Sequence, residues 1–393
     1  MRRAFIRIYR SYCMQLRPNL INNYSSEQRL STSTSSMNMN LQECVNRLNK
    51  LASPSLAESW DNVGLLVEPT PPHTVSTLFM TNDLTEDVLE EAILRKSSMI
   101  LSYHPPIFGA LKRLTMASFK ERIIVKAIEN RIAVYSPHTA YDVVKDGLTD
   151  WLAAAPGSGD IEVFTATAKS REHCAAEDNH VDVRELDSSV AVKLKQDLAS
   201  KCNIQTVQLY NQAATKQKPT SELLSMSFAC QSASLASVVD VISQYNASKT
   251  TQITQLEKAA IPGAGMGRIN TLHANRSTHD IINSTKKHLG VDFLSVAYGR
   301  GKNSESMVKK VAVCAGSGSS VLMSAPADLY ITGEMSHHDI LEINSQGISV
   351  ILSNHSNSER AYLKILKKKL EMILEGKVDI IISKVDSDPL VTV

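Results

Sequence analysis

Three short segments of this chain place imidazole or carboxylate side chains directly after an apolar run. They are Tyr103-His104-Pro105-Pro106 after Met99-Ile100-Leu101, His138-Thr139-Ala140-Tyr141-Asp142 after Ile132-Ala133-Val134-Tyr135, and His355-Ser356-Asn357-Ser358-Glu359 after Val350-Ile351-Leu352. Two imidazoles, His104 and His355, with two carboxylates, Asp142 and Glu359, suit a borderline-to-hard divalent cation such as Zn, Mn or Fe. A carboxylate can bridge, so the set can serve one ion or two. Each apolar run reads as a buried strand. In open α/β sheets ligands bind beyond the carboxyl ends of the strands, where loops distant in sequence converge.

Singly, each segment has a plain structural explanation. His355 and Glu359 fall on one side of a helix that begins near Ser356, yet a loop-bonding His and a Glu favoured by a helix N-terminus give the same pattern. His104 leaves its strand through Pro105-Pro106, a rigid exit that suits a ligand and equally a turn histidine. Pro137 makes the same exit before His138, where Asp142 is the better ligand and His138 a group that orients it or tunes bound water. The equivalent topological positions carry the expectation. Glu334, at a strand end, is expected as an outer group of the same site. In Ser336-His337-His338-Asp339, Ser336 reads as a helix N-cap, and successive helical side chains point about 100° apart, so the two His do not share an ion easily. The stretches Ala315 to Ser320 and Gly265-Met266-Gly267-Arg268 have backbone N–H groups for an anion, with Arg268 as a candidate anion contact. Neither has a P-loop lysine, and tight turns explain both. Nucleophile-elbow, Cys-His and dinucleotide signatures are absent.

The elements that must position these residues alternate. A helix from Leu41 stops at Ser53-Pro54, and strands follow at Val63 to Val67 and Thr77 to Thr81. Helices are expected at Glu86 to Lys96, Phe119 to Asn130 and Gly147 to Ala155, with strands Met99 to Leu101 and Ile132 to Tyr135 between them, the signature of a layered α/β domain. Glycines and small residues break the pattern around Ala153 to Asp160. The next hundred residues read β-α-β-β-α-β: strand Val181 to Leu186, helix Ser188 to Ser200, strands Ile204 to Tyr210 and Leu223 to Ala229, helix Ala233 to Ser243, strand Thr250 to Leu256. That order is ferredoxin-like. The α/β pattern then resumes with a helix at Asp280 to Leu289, strands Phe293 to Ala297, Val311 to Cys314, Leu329 to Thr332 and Ile348 to Leu352, a helix Ser358 to Leu374 and a strand Val378 to Ser383. The chain therefore divides into a leader (1–37), one half of a split α/β domain (38–160), an inserted α+β module (175–260) and the second half (261–393). The halves must pair across the insertion for His104 and Asp142 to meet His355 and Glu359.

Composition narrows the function. Of 42 basic and 40 acidic residues, the first 37 residues hold six Arg and one Glu, leaving 36 basic against 39 acidic. A slightly acidic folded part argues against direct nucleic-acid binding driven by phosphate neutralisation. The leader, Arg-rich and acid-poor with Ser and Thr, fits a mitochondrial presequence, and a disordered extension ahead of a second start at Met37 or Met39 is the alternative. Mitochondrial and cytoplasmic locations both follow, with a nuclear one open. Six scattered Cys without C-x-x-C pairs indicate a reduced compartment. No stretch approaches the roughly 20 apolar residues of a membrane helix.

At these residues the chain resembles the NIF-three-like family. The resemblance runs from Leu41 to Val393 through Ser59-Trp60-Asp61-Asn62-Val63-Gly64, Ser102-Tyr103-His104-Pro105-Pro106, Ser136-Pro137-His138-Thr139-Ala140-Tyr141-Asp142, Gly265-Met266-Gly267-Arg268, Thr332-Gly333-Glu334-Met335-Ser336-His337-His338 and His355-Ser356-Asn357-Ser358-Glu359-Arg360. It implies a three-layer α/β/α fold in two related halves with a variable insertion. It also implies a homo-oligomer, commonly a hexameric ring in bacterial relatives, and a dinuclear site held by His104, Asp142, His355 and Glu359. Bacterial members usually carry two adjacent His where this chain has Tyr103-His104, so one ion, or a second completed by water or Tyr103, is the expectation here. The family's activity is unsettled: a GTP cyclohydrolase label fits this chain weakly, and co-regulator and metal-handling roles are also described. The expected function is hydrolysis of a small phosphorylated or nucleotide-like substrate by metal-bound water. The alternatives are a transcriptional co-regulator or scaffold with a structural metal and a transcription-related partner, or a metal chaperone.

Overall fold

In a computed structural model, residues 38–167, 179–211, 223–256 and 260–392 are described. The leader expected over 1–37 lies outside them. Two mixed sheets form the frame. In the first, strands Asp379–Ile382, Thr77–Thr81, Met99–Ser102 and Ala133–Ser136 run parallel in that order, and Gly64–Val67 closes the edge antiparallel. In the second, Met307–Ser317, Leu329–Glu334 and Ser349–Leu352 are parallel; Ser295–Ala297 flanks them on one side and Gly265–Ser277 then Gly159–Ala166 on the other, all antiparallel.

Strand alternation decides how the layers stack, because successive side chains take opposite faces. Leu78, Met80, Met99, Leu101, Ala133 and Tyr135 of the first sheet share one core with Val311, Val313, Leu329, Ile331 and Ile351 of the second. Helices Leu41–Leu51, Leu148–Ala153, Thr278–Leu289 and Leu363–Ile373 supply the apolar side chains of that middle layer. The intervening residues Phe79, Ile100 and Val134 face helices Glu86–Leu94 and Phe119–Glu129. Ala312, Cys314, Tyr330 and Val350 do the same with Ser319–Leu322 and His337–Ser345. Each sheet is thus an α/β/α sandwich, and the two share their central helices.

The halves exchange strands. Asp379–Ile382, last in the chain, pairs with Thr77–Thr81 of the first sheet, and Gly159–Ala166 extends the second. Sequence patterning gives no strand at Gly159–Ala166, because the glycines and small residues before it read as a break, although Ile161 and Val163 alternate there with Asp160 and Glu162. Between the sheets' contributions lies the inserted module. Its strands Asn179–Asp187, Val207–Asn211, Leu223–Cys230 and Thr251–Gln255 are ordered 4-1-3-2 and antiparallel, with helices Ser188–Cys202 and Leu235–Gln244 over a separate core. That is the ferredoxin-like arrangement.

Two local expectations are corrected. Gly265-Met266-Gly267-Arg268 opens the long strand Gly265–Ser277 and is neither the expected tight turn nor an anion loop. Arg268 is 1% exposed, pairs with Asp150 through Nε at 2.5 Å and Nη2 at 3.1 Å, and donates to the carbonyls of Gly265 and Gly267. Its donors are used internally. The helix expected from Ser358 begins only at Leu363; short 3₁₀ turns at Ser356–Ser358 and Arg360–Tyr362 precede it. Ser358 there donates to His355 O and accepts from Gly316 N, which ties the segment to the second sheet and delays the α-helix. Among the described residues no helix is long and apolar enough to cross a membrane.

Candidate metal centre

The carboxyl ends of the two sheets supply the residues that meet here. Strands Thr77–Thr81, Met99–Ser102 and Ala133–Ser136 lead into Asn82-Asp83, His104 and His138 to Asp142. Met307–Ser317, Leu329–Glu334 and Ser349–Leu352 end at or lead into Gly316, Glu334 and His355 to Glu359. The ligand atoms of His104, His355 and Glu359 lie within 4.8 Å of one another. Glu359 is 3% exposed. Its Oε2 stands 3.4 Å from His104 Nε2 and its Oε1 3.5 Å from His355 Nε2. These gaps exceed a good N–H···O bond and match coligands, because metal bonds of 2.0–2.1 Å at tetrahedral angles put ligand atoms about 3.3 Å apart.

The far nitrogen of each imidazole is tied to a carboxylate. His104 Nδ1 lies 2.8 Å from Asp83 Oδ1 and His355 Nδ1 lies 2.9 Å from Glu334 Oε1. This is the arrangement that fixes a liganding histidine's tautomer and aims Nε2 at an ion. Asn82 Nδ2 donates to Glu359 Oε2 at 3.0 Å, while Asn82 Oδ1 is buried without a protein partner. Gly316, at φ +60°, makes room: a Cβ there would sit 2.9 Å from Glu359 Oε1 and 3.1 Å from His355 Nε2. Two imidazole nitrogen donors, a buried carboxylate, an orphaned acceptor and a glycine cradle fit a divalent cation.

Electrostatics agree with that fit. Burial pushes the Glu359 carboxyl well above the ordinary carboxylate range, and the Asn82 hydrogen bond offsets this only in part. A cation between the imidazoles is the charge that would keep it ionised. Burial also lowers His104, against the pull of Asp83, which favours the neutral ligating form. Asp142 lies outside the 4.8 Å group. Burial raises its carboxyl to about 6, opposed by a 2.6 Å hydrogen bond from the Tyr103 hydroxyl. Burial, together with the Asp142 charge, holds Tyr103 far above its ordinary value, so it is a neutral donor.

His138 has a different partner from the one expected. Its Nδ1 lies 2.7 Å from Asp61 Oδ1, and Thr139 donates to Asp61 Oδ2 through N and Oγ1. Burial pushes Asp61 up, yet these bonds hold it below the usual range. At φ 34° and ψ −122° His138 is in a backbone conformation that non-glycine residues rarely adopt. Its ring centroid is 5.3 Å from that of His104.

Sequence reasoning does not place Asn82, Asp83, Asp386 or Asp388 in the site, and it meets Asp61 only within a family motif and Gly316 only within the Ala315 to Ser320 stretch. The rule that found His104 applies to Asn82-Asp83, which directly follow a strand. Asp386 accepts from Asn82 N at 2.8 Å and pairs with Arg360, and Asp388 accepts from Ser356 Oγ at 2.8 Å. No local pattern announces that the C-terminal tail buttresses the site. His337 and His338 lie side by side behind Ser336, whose side chain caps their helix, and neither joins the group.

The family described as Duf34/NIF3 (NGG1p interacting factor 3) matches residues 39–389. NIF3-like protein 1 of Bos taurus is 45% identical over 354 residues, covering 90% of this chain and 92% of the relative. NGG1-interacting factor 3 of Saccharomyces cerevisiae is 27% identical over 363 residues, covering 89% and 96%. The crystal structure of a Bacillus cereus protein related to NIF3 superposes with a TM-score of 0.62 at 23% identity, covering 90% of this chain and 99% of that one.

Proposed function

The chain belongs to the Duf34/NIF3 family, and from that premise and the site's geometry we propose that it is a divalent-metal protein that hydrolyses a small phosphorylated substrate. The carrying observation is the buried Glu359 carboxylate with one oxygen facing each imidazole Nε2. When bound, the ion supplies a Lewis acid and acidifies a coordinated water. Asp83 and Glu334 hold the two imidazoles in ligating register, and Asn82 holds Glu359. With Nδ1–H given to Asp61, His138 presents Nε2 as a proton acceptor beside the cluster. Asp142 is committed through one oxygen to Tyr103, which leaves the other for a weaker second ion. One tightly held Zn, Mn or Fe per protomer is therefore expected.

Elemental analysis of the purified protein tests this. Wild type should retain about one ion per protomer through gel filtration, and the double variant His104→Ala/Glu359→Ala should retain none. Equal metal content in the two proteins would falsify the assignment. A second reading, an interaction protein whose metal staples the two sheets, draws on the yeast relative's name. It requires a site filled by protein ligands, whereas catalytic sites keep an open position. Metal-loaded protein inert toward a phosphoester panel would favour it. We further propose that the protein assembles as a homo-oligomer and that residues 1–37 direct it to mitochondria. Light scattering and a reporter fused to the leader test the two in turn.

A further inference from the structure

Trp60 and Phe108 remain largely in solvent, 57% and 48% exposed, although both are large aromatic side chains. Their ring centroids are 5.9 Å apart at 51°. Each meets the His138 ring edge-on, at 6.1 and 6.3 Å, and His138 lies 5.3 Å from His104. A single imidazole thus separates a solvent-open aromatic wall from the cluster of metal ligands.

The wall is built into the fold. Asn62 Nδ2 donates to Ile107 O at 2.6 Å, which joins the loop carrying Trp60 to the loop carrying Phe108. Asp61, between Trp60 and Asn62, grips His138 and Thr139. The loops that carry both rings are therefore tied together before any ligand arrives, which limits the ordering cost of binding. An isolated exposed tryptophan would carry no argument. Two aromatic rings beside a histidine at the rim of the ligand cluster offer flat faces to another ring, and stacking of that kind accepts any planar heteroaromatic group.

We propose that the site recognises small molecules in which a planar heteroaromatic ring is joined to a phosphate, the ring stacking on the face of Trp60 with Phe108 against its edge while the phosphate reaches the His104–Glu359–His355 group. The inference rests on the metal-centre reading above and adds to it the residues that would select nucleotide-like members among the phosphorylated substrates.

The chain has two tryptophans, so full-length protein carrying Trp151→Phe leaves Trp60 as its sole tryptophan reporter. Loaded with Mn²⁺, it is titrated with adenosine 5′-monophosphate and with ribose 5-phosphate, which keeps the phosphate and lacks the ring. The nucleotide should quench Trp60 emission and bind at least tenfold more tightly than the sugar phosphate. By calorimetry, Trp60→Ala and Phe108→Ala should each erase most of that preference at unchanged metal content. Equal affinity for the two probes, no binding of either, or a Trp60→Ala protein that keeps the preference would overturn the ring surface while the metal count stands. Absence of metal from the wild-type sample would instead sink the underlying metal reading. A wild-type oligomer that dissociates in both variants without a change in probe preference would reassign the wall to an interface between copies.

Discussion

Gly316 carries the sharpest test at the scale of single residues. Its φ of +60° is already unfavourable for an L side chain, and a Cβ would press on Glu359 Oε1 and His355 Nε2. Glu359 is buried and held by Asn82, so it cannot yield easily. Gly316→Ala should cost about 1–2 kcal/mol in stability from the backbone alone. It should also weaken metal binding about 10- to 100-fold, the usual effect of disturbing the support of a ligand. Metal titration alongside thermal melts separates these effects; a variant that melts lower yet binds metal normally would place the cation elsewhere. The same scale explains why Tyr103 and Asp142 behave as a pair: a buried phenol donates to one oxygen of a buried carboxylate, which leaves only the other oxygen of Asp142 for an ion.

At the scale of elements, Arg268 shows how a motif is reassigned by its surroundings. From sequence a tight turn explains the glycines at 265 and 267, with an anion loop as the alternative, but the segment is a strand whose arginine turns inward to Asp150 and to carbonyls of its own strand. Arg268→Met would strip a partner from that ion pair and leave those carbonyls without their donor. The expected loss is about 3–5 kcal/mol in stability, with metal affinity unchanged. Unchanged melting together with weakened phosphate binding would restore the anion-contact role. Strand-end placement made His104, His138 and His355 legible, since a short apolar run followed by a polar ligand is a local pattern. Asn82 and Asp83 obey the same pattern, but they stand just before Thr85, the cap of the helix Glu86–Leu94, so a helix approach explains them locally.

Across the whole molecule, the two sheets meet at their carboxyl ends and are laced by exchanged strands. The tail after Asp379–Ile382 carries this lacing into the site: Asp386 binds Asn82 N of the first sheet and Arg360 beside Glu359. Asp386→Ala should leave the fold intact and lower metal affinity roughly tenfold, because Asn82 and Arg360 lose a shared anchor. Isothermal titration with Zn²⁺ reads the effect, and wild-type affinity in the variant would show that the tail is only a surface brace.

The sequence by itself determined the local matters: alternating strands and helices, the ferredoxin-like insertion, the acidic balance of the folded part, and the residue types at three strand ends. Those follow from side-chain periodicity and turn chemistry, which act over a few residues. Only the tertiary structure decided which groups face one another. Asp61 rather than Asp142 partners His138, Gly316 lies under Glu359, an inconspicuous edge strand extends the second sheet, and the last strand closes the first. Each of these depends on contacts between segments far apart along the chain, where no local periodicity records the partner.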